Sequence, residues 1–231
     1  MPTRIEWTDE TWNPVTGCSA VSAGCEHCYA RRWANRLQSM HQPRYANGFR
    51  VTLHPDLLEQ PLRWRRPRRI FVCSMGDLFH GDVPAAFIRR VFEVVAVAPQ
   101  HTFQVLTKRT GRLLEFVAMV PWPNLWLGAT VEDEHCLRRV EQLRGMPAAV
   151  RFLSLEPLLG PLSALDVRGI HWVIVGGETG PGARGMDPAW PRSIRDQCVA
   201  AGVPFFFKRW GGSGPERASR TIDGRLWEEM P

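Results

Sequence analysis

The sequence predicts an α/β fold, in which parallel strands and helices alternate in a (β/α) barrel or partial TIM-like barrel of about six or seven strands. Two observations support this prediction. Short apolar runs follow turn-forming residues along the chain, and amphipathic helical segments lie between them. The runs are continuously apolar, which is typical of parallel strands that are buried on both faces.

Each predicted strand follows a proline or a glycine. The six apolar runs are residues 70–74, 103–107, 125–129, 150–154, 172–176 and 205–208. A seventh, short strand is predicted within residues 4–12, where Ile5, Trp7 and Trp12 supply apolar side chains without forming a long run. Because it precedes the other six along the chain, it is the first strand of the predicted sheet.

Helices are predicted between these strands because apolar residues recur there at helical spacing. The predicted helices are residues 84–98, 110–117, 132–143 and 190–201, and a further helix covers residues 31–37. Gly202 is expected to end the fourth of these as a C-terminal cap. Residues 36–60 contain Pro43 and Pro55 and are expected to form an irregular insertion.

We expect one domain over residues 1–231, with residues 211–231 as a loosely packed C-terminal extension. A chain of 231 residues can bury a substantial core without disulfides. No apolar run is long enough to span a bilayer, and the first residues do not resemble a signal peptide. The expected location is therefore the cytoplasm, with no membrane partner.

The chain is basic, and almost all of its positive charge comes from arginine. Lysine and arginine total 29 against 23 acidic residues, which gives a net charge of +6. An arginine excess indicates either phosphate binding or the composition of a GC-rich genome. The densest run, residues 63–69, is either a solvated linker before a strand or a contact for a polyanion such as nucleic acid.

Polar residues follow every predicted strand. Because the carboxyl ends of parallel strands meet at one edge, these residues are expected to share a pocket. They are Asn13, Ser74, Asp77, His80, Thr107, Lys108, Arg109, Thr130, Glu132, Ser154, Glu156, Gly176, Gly177, Glu178, Lys208 and Trp210. Such residues also cap helices and form structural ion pairs, so each has a structural alternative.

Three cysteines indicate a metal site. Cys18, Cys25 and Cys28 lie within eleven residues, and the two-residue gap lets the last two thiolates reach one metal centre. Three cysteines without a clear fourth ligand suit a 4Fe–4S cluster with one open iron. Structural zinc is the alternative, and it requires a fourth protein ligand such as Cys73 or His80.

Several segments together carry a family resemblance. They are IEWTDETWNPVTGCSAVSAGCEHCYA, CSMGDLFH, VLTKR, WLGATVED, SLEPLLGPL, VIVGGETGPGARGM and PFFFKRWG. On these segments, from near residue 5 to near residue 211, the chain resembles a phage- and bacteria-associated family of three-cysteine proteins of largely unassigned function. More broadly, it resembles the radical S-adenosylmethionine (SAM) superfamily.

The resemblance implies a radical-SAM-like barrel in which Cys18, Cys25 and Cys28 hold three irons of a 4Fe–4S cluster. It further implies that SAM chelates the fourth iron and that an external electron donor drives its reductive cleavage. The resulting 5′-deoxyadenosyl radical would abstract hydrogen from a substrate. The sequence does not name that substrate; a nucleic acid is one candidate, and a partner protein is also compatible with an open side of the barrel.

The resemblance also implies candidate cofactor contacts. Asp77 or Glu178 would meet the SAM ammonium, and Lys108 or Lys208 its carboxylate or an anionic substrate. The ribose hydroxyls are assigned to Thr130, Glu132 or Glu156, and the remaining candidates are Tyr29, Ser74, Gly176 and Gly177.

The chain departs from the superfamily pattern in three places. The first cysteine gap is six residues instead of three, and His27 stands where an aromatic residue is usual, with Tyr29 after the last cysteine. The Gly-Gly-Glu sequence follows the sixth predicted strand instead of the second. The alternative function is therefore a zinc-stabilised or non-enzymatic nucleic-acid-binding protein on the same barrel.

Overall fold

The computed structural model describes residue 3 and residues 5–117 and 122–231. Its strands are β1 (Glu10–Trp12), β2 (Val15–Thr16), β3 (Thr52–Leu53), β4 (Arg69–Val72), β5 (Thr102–Thr107), β6 (Leu125–Thr130), β7 (Val150–Leu155), β8 (Trp172–Gly176), β9 (Phe205–Arg209), β10 (Thr221–Ile222) and β11 (Arg225–Leu226). In the described part of the chain, seven of them form one sheet in the order β1-β4-β5-β6-β7-β8-β9.

The large sheet is built from parallel neighbours. β1 pairs with β4 and β4 with β5, so that Trp12 lies opposite Val72 and Val72 opposite Val105. β7 pairs with β8 and β8 with β9, which places Phe152 opposite Trp172. Within this sheet, the strands are neighbours in the order in which they follow one another along the chain. The predicted α/β class with a parallel sheet of about seven strands is confirmed.

The helices are α1 (Tyr29–Ser39), α2 (Ala85–Val97), α3 (Thr110–Val117), α4 (Arg138–Arg144) and α5 (Ala189–Ala201). α5 ends at Gly202, whose φ of 65° is left-handed, as predicted for a C-terminal cap. No helix in the described part of the chain is both long and apolar enough to cross a membrane.

One predicted helix starts later than expected. The sequence places its start at residue 132, whereas the chain forms a short 3-10 turn over Glu134–Cys136 before α4 begins. Asp133 is extended, and its carboxylate accepts a hydrogen bond of 3.0 Å from the His135 N–H. Because of this cap, the turn begins after Glu132, and the Glu132 side chain is fully buried.

The first predicted strand is also shorter, because only Glu10–Trp12 is extended and paired. Residue 4 lies outside the described residues. Trp7 precedes the strand in a turn, and its ring is buried against Phe71 with 4.9 Å between centroids. The apolar residues of this segment therefore contribute to the core without extending the strand.

Two compact units are distinguished within the described residues. The first comprises residues 1–19, 30–127 and 146–149, and the second residues 20–29, 128–145 and 150–231. In the first, Trp12 and Phe103 are buried edge to face, with 5.8 Å between ring centroids. In the second, Phe152 and Trp172 are buried, with 5.7 Å between centroids. The single domain predicted over residues 1–231 stays a prediction.

The C-terminal segment is packed, so the expected loose packing of residues 211–231 is wrong. The Phe207 N–H donates to the Trp227 carbonyl at 2.9 Å, and the Trp172 Nε1–H donates to the Glu229 carbonyl at 2.9 Å. Ile222 and Trp227 are buried. These two apolar residues anchor a segment whose glycine and charge content alone indicates an exposed tail.

Replacing Trp227 should therefore destabilise the protein. Trp227→Ala removes a ring that is 7% exposed and packs against Phe205, so we expect the free energy of unfolding in urea to fall by about 3 kcal/mol or more. Leu226→Ala is the matched control, since Leu226 is 49% exposed and its loss should cost under about 0.5 kcal/mol. Equal losses in the two variants would show that the segment is not anchored by Trp227.

Candidate functional site

The first unit presents Cys18 directly after the β1–β2 segment. Gly17 precedes it with a left-handed φ of 85°, and a Cβ at this position would lie 2.2 Å from the Arg50 carbonyl oxygen. Only glycine fits this turn without strain. The Cys18 N–H then donates to the Phe49 carbonyl at 3.2 Å, which fixes the backbone of a half-buried thiol.

Arg109, which follows β5, holds the Cys18 sulfur. Its Nη1 donates to Cys18 Sγ at 3.2 Å and to Asp77 Oδ2 at 3.1 Å, while Nη2 donates to the Ser19 carbonyl at 3.0 Å. Burial alone would lower the pKa of Arg109, but Asp77 and the Cys18 sulfur outweigh it and raise the pKa. A guanidinium at this distance favours the thiolate form of a cysteine.

Asp77 ties the ends of β4 and β5 together. The Thr107 hydroxyl donates to both of its oxygens, at 2.8 and 2.9 Å, and the Phe79 N–H donates to Oδ1 at 2.9 Å. The Lys108 N–H completes the set at 3.3 Å. Asp77, one of the two carboxylates proposed to meet the SAM ammonium, thus already accepts hydrogen bonds from protein donors, including Arg109.

His80 and Cys73, the suggested fourth zinc ligands, are engaged elsewhere. The His80 Nδ1 accepts from the Asp82 N–H at 3.1 Å, so its Nε2 carries the proton and donates to the Ser19 hydroxyl at 2.7 Å. Burial, with Arg109, lowers the pKa of His80. Burial raises the pKa of the Cys73 thiol to about 12, which disfavours the thiolate that a metal requires.

The second unit holds the other two cysteines, in the segment 20–29. Ala23–Cys25 forms a 3-10 turn, in which the Cys25 N–H donates to the Ser22 carbonyl at 3.0 Å. The Ser22 hydroxyl lies 3.8 Å from Cys25 Sγ and donates to Glu132 Oε1 at 2.6 Å. A Cβ on Gly24 would lie 2.6 Å from Glu132 Cγ, so the turn is pressed against this carboxylate.

Glu132 follows β6 and is fully buried, with Arg139 Nη1 2.7 Å from its Oε2. The same Arg139 nitrogen also donates to the carbonyl of the buried Thr130, at 2.7 Å. This ion pair makes the buried charge tolerable, and Oε1 accepts a hydrogen bond from the Ser22 hydroxyl.

Glu178 follows β8 and anchors the segment 20–29 a second time. His27 Nδ1 lies 2.8 Å from its Oε2, and Arg184 donates to the same carboxylate through its backbone N–H at 3.0 Å and its Nε at 2.9 Å. Arg184 also reaches Glu26 Oε2 at 3.1 Å and the Ala23 carbonyl at 3.0 Å. Burial alone would raise the pKa of Glu178, but the hydrogen bonds from Arg184 and His27 lower it to about 2.

The sequence-predicted residues at the ends of β7, β8 and β9 also contact one another. Lys208 Nζ lies 3.0 Å from Glu156 Oε1, and a Cβ on Gly176 would lie 2.8 Å from that oxygen. A Cβ on Gly177 would lie 1.7 Å from the Trp210 carbonyl oxygen. The two glycines are therefore explained by close approach within the protein.

Three further sequence-predicted residues are Ser74, Lys108 and Tyr29. The Ser74 hydroxyl donates to the Asn13 side chain at 3.2 Å, Lys108 is half-buried, and Tyr29 begins α1 with 48% of its surface exposed. Sequence reasoning placed Arg109 among the residues of the shared pocket but gave it no cofactor role, and it did not assign Arg184 or Ser22 to the site. The position of Arg109 directly after a predicted strand indicated that it belongs to the site, whereas no local sequence pattern marks Arg184 or Ser22.

All six cysteines lie in the described part of the chain, and none forms a disulfide. Burial raises the pKa of Cys136 to about 11 and that of Cys198 to about 12, so these two thiols stay protonated. No three His, Cys, Asp or Glu side chains of the described residues are grouped to hold a single metal ion. Cysteine thiolates are the usual ligands of iron–sulfur clusters, and Cys18 has a guanidinium beside its sulfur.

The chain matches a family model over residues 2–231, and that family is described as "Protein of unknown function (DUF5131)". The chain belongs to this family. None of the curated proteins matches it.

Among solved structures, the chain is similar to those of spore photoproduct lyase. A mutant of that lyase is 12% identical, with a TM-score of 0.48, over 91% of this chain and 68% of that one. The lyase complexed with dinucleoside spore photoproduct is 10% identical, with a TM-score of 0.45, over 79% of this chain. This chain spans about 58% of the length of that second structure.

The Glu178 cluster should make stability depend on acid pH. The pKa of Glu178 lies below its ordinary value of 4.5, so its contribution is present above that pH and is lost as the pH falls towards 2. We expect Glu178→Gln to lower the free energy of unfolding at neutral pH by up to about 3 kcal/mol and to flatten the loss over this interval. Urea unfolding at a series of pH values measures both effects.

Glu216→Gln, at an exposed glutamate, is the matched control and should behave as the unmodified protein. If Glu178→Gln retained the full acid-dependent loss, Glu178 would not be the group responsible.

Proposed function

We propose that this protein is a radical SAM enzyme. In this proposal Cys18, Cys25 and Cys28 hold three irons of a 4Fe–4S cluster, SAM binds at the fourth iron, and an external donor supplies the electron. The motif resemblance supports the assignment of the cofactors, and the spacing of the three cysteines supports the assignment of the ligands.

One observation carries the proposal. Both parts of the three-cysteine segment are fixed by charged side chains that follow parallel strands. In the first unit Arg109, after β5, binds the Cys18 sulfur. In the second unit Glu132, after β6, binds Ser22, and Glu178, after β8, binds His27. The carboxyl ends of strands are where parallel α/β proteins carry their active sites.

The cluster and SAM, when bound, supply one-electron chemistry that protein side chains do not provide. The protein's own residues bind and orient. Arg109 offsets the negative charge of the Cys18 thiolate, and Asp77 holds Arg109 in place. Glu132 and Glu178 fix the backbone on either side of Cys25 along the sequence, so that its turn is set before any metal is bound.

The proposed SAM contacts need one adjustment. Asp77, Glu132, Glu156 and Glu178 each already bind a protein cation, so a SAM ammonium or ribose would share these carboxylates and not find them free. The other candidates for SAM contacts are Tyr29, Ser74, Lys108, Thr130, Gly176, Gly177 and Lys208. The substrate is unidentified.

Metal analysis of anaerobically purified protein tests the proposal. We expect about four irons and matching sulfide per chain, and a reduced EPR spectrum that changes when SAM is added. Cys18→Ala, Cys25→Ala and Cys28→Ala should each lose the iron. Cys198→Ala is the control, because this buried thiol is kept protonated and should not bind iron.

Stoichiometric zinc in place of iron would refute the proposal and favour a zinc-stabilised protein. Iron that is retained equally in all four cysteine variants would refute the ligand assignment.

Arg109 should also set the cluster's reduction potential. Arg109→Gln removes a cation 3.2 Å from Cys18 Sγ, which disfavours the more negative reduced cluster, so we expect a lower midpoint potential. Arg109→Lys keeps the positive charge, so its midpoint potential should remain closer to that of the unmodified protein. Redox titration followed by EPR measures the shift, with the exposed Arg90→Gln as control. An unchanged potential in Arg109→Gln would show that Arg109 does not act on the cluster.

A further inference from the structure

Helix α1 exposes an aromatic and basic face. Trp33 is 51% exposed and Met40, directly after the helix, is 56% exposed. Arg36 is also exposed, and its guanidinium lies 5.3 Å from the centre of the Trp33 ring. The spacing of these residues places them on one side of the helix. An exposed indole of this size beside a cation is a surface suited to a ligand that has both a flat ring and negative charge.

The opposite side of α1 is already used for packing. Ala34 is fully buried, the Arg31 guanidinium lies 5.9 Å over the Phe49 ring, and Gln38 Nε2 donates to the Ala46 carbonyl at 3.0 Å. These contacts fix which side of the helix faces away from the first unit. Trp33 and Arg36 are therefore displayed by a helix whose orientation is set.

A cavity of about 570 Å³ adjoins this side of the helix. Leu37, one turn after Trp33, contributes to its wall. The rest of the lining includes Gln42, Tyr45 and Asn47, which supply two amide groups and an aromatic ring. A volume of this order accommodates a small organic ring system, and the amides can hydrogen-bond to the edge of a nucleobase.

The charge of this region selects an anionic ligand. Residues 29–39 include Arg31, Arg32 and Arg36 and no aspartate or glutamate. The whole chain carries a net charge of +6. Arginines interleaved with an exposed aromatic residue are the combination by which proteins bind single-stranded nucleic acid, since phosphates meet the cations and an unstacked base lies on the ring.

We propose that the Trp33–Arg36 face of α1 and the adjoining cavity bind single-stranded nucleic acid. One base stacks on the Trp33 indole, Arg36 binds a neighbouring phosphate, and a second base enters the cavity near Asn47. A base inside a duplex is covered by its neighbours and cannot lie on Trp33, so the surface selects unpaired strands.

This inference deepens the proposed function, because it names a nucleic acid as the substrate class of the same protein. α1 begins at the residue after Cys28, and within the first unit it contacts Phe49, whose carbonyl accepts from the Cys18 N–H. A nucleic-acid strand bound to α1 would thus be bound by the helix that directly follows the cysteine segment.

Fluorescence anisotropy with a labelled oligothymidylate of about 15 nucleotides tests the inference on the full chain. We expect binding at low salt that weakens as salt increases, and a weaker signal for a duplex of the same length. Trp33→Ala should raise Kd about tenfold, which is the size of one base-stacking contact. Val199→Ala, at another exposed apolar residue, is the control and should leave Kd unchanged.

Two further pairs of variants separate charge from the cavity. Arg36→Glu should raise Kd about tenfold at low salt and reduce its salt dependence, whereas Arg90→Glu makes the same charge change on α2 and should have little effect. Asn47→Leu should weaken binding by blocking the cavity, whereas Asn35→Leu, at an exposed position on the packed side of α1, should not. A parallel measurement with oligouridylate distinguishes RNA from DNA.

Equal Kd values for Trp33→Ala and Val199→Ala would overturn the inference. Tighter binding of the duplex than of the single strand would also overturn it. So would a failure of both nucleic acids to bind at low salt. Iron content and oligonucleotide binding are measured on the same anaerobic preparation of the unmodified protein. Oligonucleotide binding by a protein that holds no iron would refute the proposed enzyme and keep this inference, whereas iron without oligonucleotide binding would do the reverse.

Discussion

Buried carboxylates at the ends of strands are the constraint on which the candidate site depends. Glu178 is 4% exposed and Glu132 is fully buried, and neither could remain charged there without cationic and hydrogen-bonding partners. Arg184 and Arg139 supply the charge, while His27 and Ser22 supply further donors. Because those donors lie in the segment 20–29, the pairs that stabilise the second unit also fix its two cysteines.

Asp77 has the corresponding role in the first unit. Asp77 accepts hydrogen bonds from Thr107, Phe79 and Arg109. Arg109 in turn contacts Cys18 Sγ and the Ser19 carbonyl. The thiol therefore lies at the end of a chain of hydrogen bonds that begins at a buried carboxylate. Such an arrangement holds a sulfur in place and supplies positive charge to it, and both favour a metal-binding thiolate.

Cys18 and the three scattered cysteines have different environments. Cys73, Cys136 and Cys198 are buried, and burial raises their pKa values to between about 11 and 12. Cys18 instead accepts a hydrogen bond from a guanidinium, and Cys25 lies in a turn held by Ser22. Spacing along the sequence sets Cys18, Cys25 and Cys28 apart from the other three, because scattered cysteines are usually core residues whereas clustered ones share a function.

Glycine makes the close packing of these elements feasible. Gly24 lies against Glu132 and Gly177 lies against the Trp210 carbonyl, and neither contact leaves room for a Cβ. The family resemblance suggested a cofactor contact for the Gly-Gly-Glu sequence. The structure gives the second glycine a packing role and gives the glutamate a partner in the cysteine segment.

The sequence by itself determined most strands of the large sheet, most helix boundaries and the clustering of three cysteines along the chain. These features depend on hydrophobic period, turn residues and short spacing, which are all local. It placed Arg109 after a strand but could not say that Arg109 reaches Cys18, and it mistook the packed C-terminal segment for a loose one. The tertiary structure decided these pairings, because Arg109 and Cys18 are 91 residues apart and Glu178 and His27 are 151 apart. No local pattern encodes which charged side chain meets which partner, since that is set only when the strands align in the sheet.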